Sequence, residues 1–334
     1  MGWKFWAGLL ISSLFLYFAF HNIDLTLFYN SIKSTKMYLA IPVALLTIIL
    51  YLIRALRWFH LLEPIKKIGL SSLFSSTVIG FAANCVLPAR LGEFIRANHL
   101  GRMENISKSS SFATIVTERL FDIFAILLIS LFVVLSIDFP LEWASVETAV
   151  KTGGILMLIF FVISILLLIM LKERTQAFII ITEKLTFFLP SRIKQKIIDI
   201  LNNFSKGLVL IKGPYQLLAV IFYSFILWGL TVFQVYVIGL SLDMSLPFLA
   251  PFLILVLLCF SVTIPSAPGY IGTFHLACQY GLVFYGFSHE KALSMAIVLH
   301  AAGVIPTVIL GLMIFLLQHI SLSNYVNRTF LLKK

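Results

Sequence analysis

Six stretches of this chain are apolar over the length a helix needs to cross a bilayer, about 20 residues. They are Trp3–Phe20, Tyr38–Leu62, Ser111–Ile137, Gly153–Leu171, Tyr215–Leu240 and Ala292–Gln318. Two further regions are apolar but interrupted. Leu70–Pro88 carries no charge, yet holds Ser71, Ser72, Ser75, Ser76, Thr77, Gly80 and Asn84. Leu246–Gly286 is broken by Pro247, Pro251, Pro265, Pro268, Gly269 and Gly272. Each reads as a pair of short helices entering and leaving on one side, or as kinked spans. Sixty per cent of the 334 residues are apolar, 12% are charged and mean hydropathy is +1.03. A soluble fold of this length cannot hide that much apolar surface, so the bilayer is the solvent for most of the chain. No polar linker divides it, so residues 1–334 read as one all-α membrane domain.

The interrupted regions echo one another at an offset of 180 residues. Leu87-Pro88-Ala89-Arg90-Leu91-Gly92-Glu93-Phe94 aligns with Ala267-Pro268-Gly269-Tyr270-Ile271-Gly272-Thr273-Phe274, both x-Pro-x-x-x-Gly-x-Phe. The same offset carries 38–62 onto 218–242 and 107–137 onto 287–317. This predicts two repeats, about 38–137 and 215–318, joined by a span and a basic segment over about 150–212. Duplicated halves around interrupted helices are a transporter architecture.

Net charge is +11. In a chain this apolar the excess belongs to cytoplasmic loops rather than to nucleic-acid binding. With the N-terminus inside, Lys66, Lys67, Arg90, Arg96, Arg102 and Lys108 fall in or beside the cytoplasmic stretch after the second span. The loop 138–151, with Asp138, Glu142 and Glu147, falls outside. The stretch 172–214 falls inside with eight basic residues against three acids. Both termini are then cytoplasmic, the first span is retained, and the two repeats are inverted. Ile193, Ile197, Leu201, Phe204 and Leu208 recur at helical spacing, which predicts an amphipathic helix on the inner leaflet or packed on the protein. Cys85, Cys259 and Cys278 show neither metal-ligand nor disulfide spacing and read as buried thiols. No metal or other cofactor is expected.

One charge cluster interrupts the apolar segments. Arg90, Glu93 and Arg96 follow Pro88 at i, i+3 and i+6. Glu118 and Asp122 share a face of the next span, with Arg119 beside them. Charges at membrane depth mark function or pairing. Three Arg and three acids sum to zero, so full mutual pairing is one reading. The other is that the guanidinium groups share their acids with an anionic headgroup, since Arg grips phosphate through two parallel hydrogen bonds. Arg54 and Arg57 lie near the inner end of the second span, snorkelling to lipid phosphates or widening a basic entrance. Pro88, Gly92, Pro265, Pro268, Gly269 and Gly272 are the helix breaks, tolerated at depth where backbone lines a cavity or is buried in protein.

Asn84-x-x-x-Pro88-x-Arg90-x-Gly92-Glu93-x-x-Arg96, followed by Glu118-Arg119-x-x-Asp122, resembles the transmembrane domain of lysylphosphatidylglycerol synthases. So does Pro265-x-x-Pro268-Gly269-x-x-Gly272-x-Phe274. The similarity to this flippase-like family runs from about residue 5 to 320. Two-part members of the family carry a fused aminoacyl transferase that this sequence lacks, so the resemblance implies a stand-alone lipid translocase. By position Asn84, Pro88, Arg90, Gly92, Glu93, Arg96, Glu118, Arg119 and Asp122 match the family's first motif, and Asn84 with the six charged residues is the expected substrate site. The family often has Glu after Gly-x-Phe and Arg in the last span. Here those positions are His275 and His300, which implies a His–His contact instead.

The expected function is therefore translocation of an anionic phospholipid or lipid-linked phosphate across the cytoplasmic membrane. A membrane transferase modifying a lipid headgroup, or an accessory subunit of one, is the alternative. No catalytic constellation supports an enzyme. Membrane lipids are the expected partners, with room for a lipid-synthesising enzyme or a second copy of the chain.

Overall fold

The computed structural model describes residues 3–21, 23–87, 90–208 and 213–318, and all of the regular structure among them is helical. The thirteen described α-helices are α1 (Trp3–Phe20), α2 (Leu25–Lys33), α3 (Ala40–Leu62), α4 (Leu70–Val86), α5 (Gly92–Met103), α6 (Lys108–Ser136), α7 (Ala144–Glu173), α8 (Thr175–Leu185), α9 (Ser191–Gly207), α10 (Pro214–Ser241), α11 (Ala250–Ser261), α12 (Thr273–Val283) and α13 (His289–Leu317).

Among the described residues, five helical segments are long and apolar enough to cross a membrane: Met37–Leu62, Lys108–Ser136, Leu141–Glu173, Pro214–Ser241 and His289–Leu317. A sixth span exists only if α1 and α2 count together, and these are bent by 92° at their junction. Asp24 sets the bend by capping α2, its carboxylate accepting from the Thr26 and Leu27 amides at 2.7 and 3.0 Å. The span expected at Gly153 starts earlier, because Glu147 and Lys151 pair one turn apart and let α7 continue through them.

Both interrupted regions are helical hairpins. In the first, contacts between α4 and α5 run in opposite directions along the chain. The Gly92 amide donates to Asn84 Oδ1 at 2.8 Å, Ser76 Oγ meets His99 Nδ1 at 2.8 Å, and Ser75 reaches Met103 Sδ at 3.9 Å. Glycine permits this closeness: a Cβ on Gly92 would sit 2.0 Å from the Gly80 carbonyl oxygen. In the second, α11 and α12 close at Gly281, whose added Cβ would lie 3.0 Å from Ile254. At 1.5 Å per residue, none of these four helices spans a bilayer core of about 30 Å alone.

The sequence echo reappears in the packing. One core gathers Trp58, Leu62, Ala97 and Ile115, with Phe74 and Phe112 against it. The second gathers Ile238, Leu242, Ile254, Ala292 and Met295, with Ala277 against it. Adding 180 to Trp58, Leu62, Phe74, Ala97, Phe112 and Ile115 gives Ile238, Leu242, Ile254, Ala277, Ala292 and Met295. Six pairs of positions at this offset thus lie in or against the two cores.

The hairpin tips meet. Arg90 Nη2 donates to the Val262 carbonyl at 3.2 Å and its guanidinium lies 5.8 Å from the Tyr270 ring centre. A Cβ on Gly269 would lie 3.2 Å from the Cys85 carbonyl oxygen. Helix α1 braces the second tip, Ser12 Oγ accepting from the Ala267 amide at 2.7 Å. Helix α9 lies on α6, where Ser110 Oγ donates to the Asn203 carbonyl at 2.7 Å and Phe112 faces Phe204. Its C-terminal half is thus packed on protein, whereas Ile193 near its start is exposed.

Gly92→Ala should lower the thermal unfolding midpoint in detergent by several degrees, about 1–3 kcal/mol of overpacking. Gly229→Ala, which faces open space, should leave it unchanged. Equal midpoints for the two variants would contradict the close hairpin.

Candidate functional site

The charge cluster assembles where α3, α5, α6 and α10 converge. Glu118 is fully buried and sits between two guanidinium groups. Arg96 holds it through both nitrogens, at 3.2 and 3.0 Å, and Arg57 Nη2 reaches it at 3.1 Å. Arg57 Nη1 also donates to Asp122 at 2.8 Å and to Ser224 Oγ at 3.0 Å. The Arg96 guanidinium lies 3.9 Å from the Trp58 ring centre, a cation–π contact. Arg57, Arg96 and Glu118 have essentially no exposed side-chain surface. Arg57 therefore does not snorkel to the surface. A face of α3 turns inward at that depth, and the acids of α6 neutralise it there.

The outer part of the cluster is less complete. Arg119 bonds Asp122 at 2.9 Å and contacts Glu93 at 3.0 Å without hydrogen-bond alignment. Arg54 stands 3.9 Å from Asp122 with no hydrogen bond from its Nη1. Glu93 Oε2 and Arg119 Nε also lack partners. The Phe81 ring lies between, 4.7 Å from the Arg54 guanidinium and 5.6 Å from that of Arg119. Four arginines (54, 57, 96, 119) meet three acids (93, 118, 122), so the network carries one excess positive charge. The sequence offers Arg54 and Arg57 only as secondary candidates beside the six-residue cluster, and the structure brings both into it. Their i, i+3 spacing on α3 was the available signal.

Arg90 lies apart from these acids. It precedes α5, in a turn with φ +53°, a conformation that costs a non-glycine residue. Its exposed guanidinium contacts the second hairpin and lines a cavity of about 780 Å³. The walls come from α1 (Phe15), α6 (Ile123), α7 (Gly153, Met157, Phe160) and the second hairpin (Phe260, Thr273, Tyr280). Ser145, Ser261 and Thr263 add hydroxyls, and no acid lines it among the described residues.

Asn84 ties the two arms of the first hairpin and is half-buried, with no direct contact to the arginines among its hydrogen bonds. Pro88 lies outside the described residues. Pro265 and Pro268 sit in the second break, and Gly269 and Gly272 take φ +73° and +92° there. The His275 and His300 rings are 4.9 Å apart. His300 Nε2 contacts the Gly269 carbonyl at 2.7 Å, and the Gly272 amide donates to His275 Nδ1 at 3.3 Å. Cys85 and Cys259 are half-buried, Cys278 is buried, and all three are free thiols. No group of three metal-ligating side chains occurs among the described residues.

Glu118→Gln should destabilise the fold by about 3–5 kcal/mol in denaturant unfolding, because it strands two buried guanidinium groups. Arg90→Ala should change stability by less than about 1 kcal/mol. Equal losses would contradict the division into a sealed network and an open arginine.

Comparison with known proteins agrees with this architecture. The model of the lysylphosphatidylglycerol synthase TM region family matches residues 5–311. UPF0104 membrane protein MJ1078 of Methanocaldococcus jannaschii is 27% identical over 236 residues, covering 70% of this chain and 92% of the relative. UPF0104 membrane protein PH1989 of Pyrococcus horikoshii is 25% identical over 291 residues, covering 81% and 85%. A UPF0104 membrane protein of Methanothermobacter thermautotrophicus is 26% identical over 251 residues, covering 72% and 73%. No solved structure matches. The chain is a multi-pass membrane protein and belongs to the lysylphosphatidylglycerol synthase TM region family.

Proposed function

We propose that this protein moves an amphiphile with an anionic, phosphate-bearing headgroup across the bilayer. The observation that carries the proposal is Arg90, an exposed guanidinium without a carboxylate partner among the described residues, in the lining of a largely apolar cavity. A phosphate satisfies a guanidinium through paired, charge-assisted hydrogen bonds. The apolar walls suit acyl chains, and the hydroxyls of Ser261, Thr263 and Thr273 suit the polar part of a headgroup.

The rest of the fold supports movement over fixed binding. The cavity lies against both α7, a helix with little buried surface, and the second helix break. The equivalent cores of the two halves support inverted repeats that alternate access by rocking against one another. Counting positive charges supports cytoplasmic termini and a cytoplasmic-membrane location. The outer cluster of Arg54, Glu93, Arg119 and Asp122 would then receive the headgroup after Arg90. Its unpartnered donors, on Arg54 and Arg119, suit an anion in transit. The sealed members, Arg57, Arg96 and Glu118, act as framework.

Purified protein in vesicles containing fluorescent phosphatidylglycerol should speed the transfer of label between leaflets. Arg90→Ala should slow that transfer about tenfold or more, from the loss of about 1.5–3 kcal/mol of charged hydrogen bonding, and Arg90→Lys should restore part of it. Wild-type protein that moves no anionic lipid, or an Arg90→Ala rate equal to wild type, would overturn the proposal.

A further inference from the structure

The second helix break carries no carboxylate, lysine or arginine of its own, yet its two left-handed glycines are each tied to an imidazole. The Gly272 amide donates to His275 Nδ1. That nitrogen therefore holds a lone pair, and neutral His275 keeps its proton on Nε2. His300 Nε2 lies 2.7 Å from the Gly269 carbonyl oxygen, so it is the protonated nitrogen of that ring and donates. The ring centres are 4.9 Å apart, close enough that two imidazolium charges would repel. The pair accommodates at most one added proton.

The surroundings decide which ring takes it. His275 sits in the first turn of α12, at the positive end of the helix dipole. Protonating its Nδ1 also destroys the acceptor that the Gly272 amide uses. His300 has the opposite circumstances. A proton on its Nδ1 leaves the bond to Gly269 intact and converts it to a charge-assisted one. The Phe274 ring centre lies 4.9 Å away and offers its π-system to a cation, and His300 is only partly buried.

Neighbouring elements add little competing charge. Helix α1 contributes the Ser12 carbonyl and hydroxyl beside Gly272 and Ala267. Helix α4 contributes the Cys85 carbonyl beside Gly269. On α12 itself the nearby thiol is Cys278, and on α13 the charged pair Glu290 and Lys291 lies nine to ten residues, about 14 Å, before His300. The first hairpin contributes Arg90, whose guanidinium rests against Tyr270 rather than against either imidazole.

We propose that the His275–His300 pair is a proton-binding site in which a single added proton, carried on His300, tightens the hold on the Gly269 carbonyl and stiffens the second break, and in which its release returns that hold to a neutral hydrogen bond and loosens the break. The site gives the protein a means of coupling proton binding to the motion of one half. Proton binding and its effect on the hinge stand whether or not Arg90 holds a headgroup.

Hydrogen exchange of residues 267–276 in nanodiscs tests this without any transport assay. Protection factors, which remove the intrinsic pH dependence of exchange, should rise about fivefold between about pH 8 and about pH 5, the gain of a charged over a neutral hydrogen bond. In His300→Gln, which can still donate to the Gly269 carbonyl but stays neutral, protection should be independent of pH. Flat protection in the wild type would overturn the proposal, as would a rise that persists in His300→Gln. Loss of lipid movement with the pH-dependent protection intact would count against the proposed function alone.

Discussion

Glu118 is buried between the guanidinium groups of Arg57 and Arg96, and the first half of the molecule is organised around that contact. It joins α3, α5 and α6 through bonds that are charge-assisted and excluded from solvent. Arg57 extends the network to Asp122 and, through Ser224, to α10 in the other half. Burying ions is costly, and the cost is offset only when every partner is present. The network therefore fixes the spans relative to one another, and fixes the first hairpin against them.

That closure separates two roles that the sequence merges. Once the acids are committed to Arg54, Arg57, Arg96 and Arg119, Arg90 has no carboxylate to satisfy it among its described contacts. It reaches across to the second hairpin and faces a cavity walled by apolar side chains. A charge held there, in a strained backbone turn, is the kind of departure from local preference that accompanies function. The second hairpin supplies the opposite character, a break without formal charge whose glycines are tied to histidines.

The all-helical membrane fold, the two interrupted regions and most span positions were legible in the sequence. Hydropathy reports burial in lipid directly, and proline with glycine marks the breaks. The limits are equally physical. Hydropathy treats each arginine as the end of a span, so it leaves Arg54 and Arg57 between the lipid surface and a basic entrance, whereas acids from α6 neutralise them inside. The i, i+3, i+6 spacing assigned Arg90 to the same face as Glu93 and Arg96. A shared face needs a helix that already includes Arg90, but α5 begins at Gly92 and Arg90 occupies a left-handed turn before it. The α7 span was started too late because Glu147 and Lys151 look like a boundary until they are seen to pair. Helix α9 could not be assigned from periodicity, since an apolar stripe is the same whether lipid or α6 covers it. The His275–His300 contact was anticipated only through the family resemblance; nothing in their spacing of 25 residues suggests it.

The central claim is that the open arginine, not the sealed network, holds the anionic ligand. Native mass spectrometry of the protein released from mild detergent tests it directly. Wild-type protein and an Arg102→Gln control should retain an anionic phospholipid, and Arg90→Ala should lose it. Retention by Arg90→Ala equal to that of wild type would contradict the account.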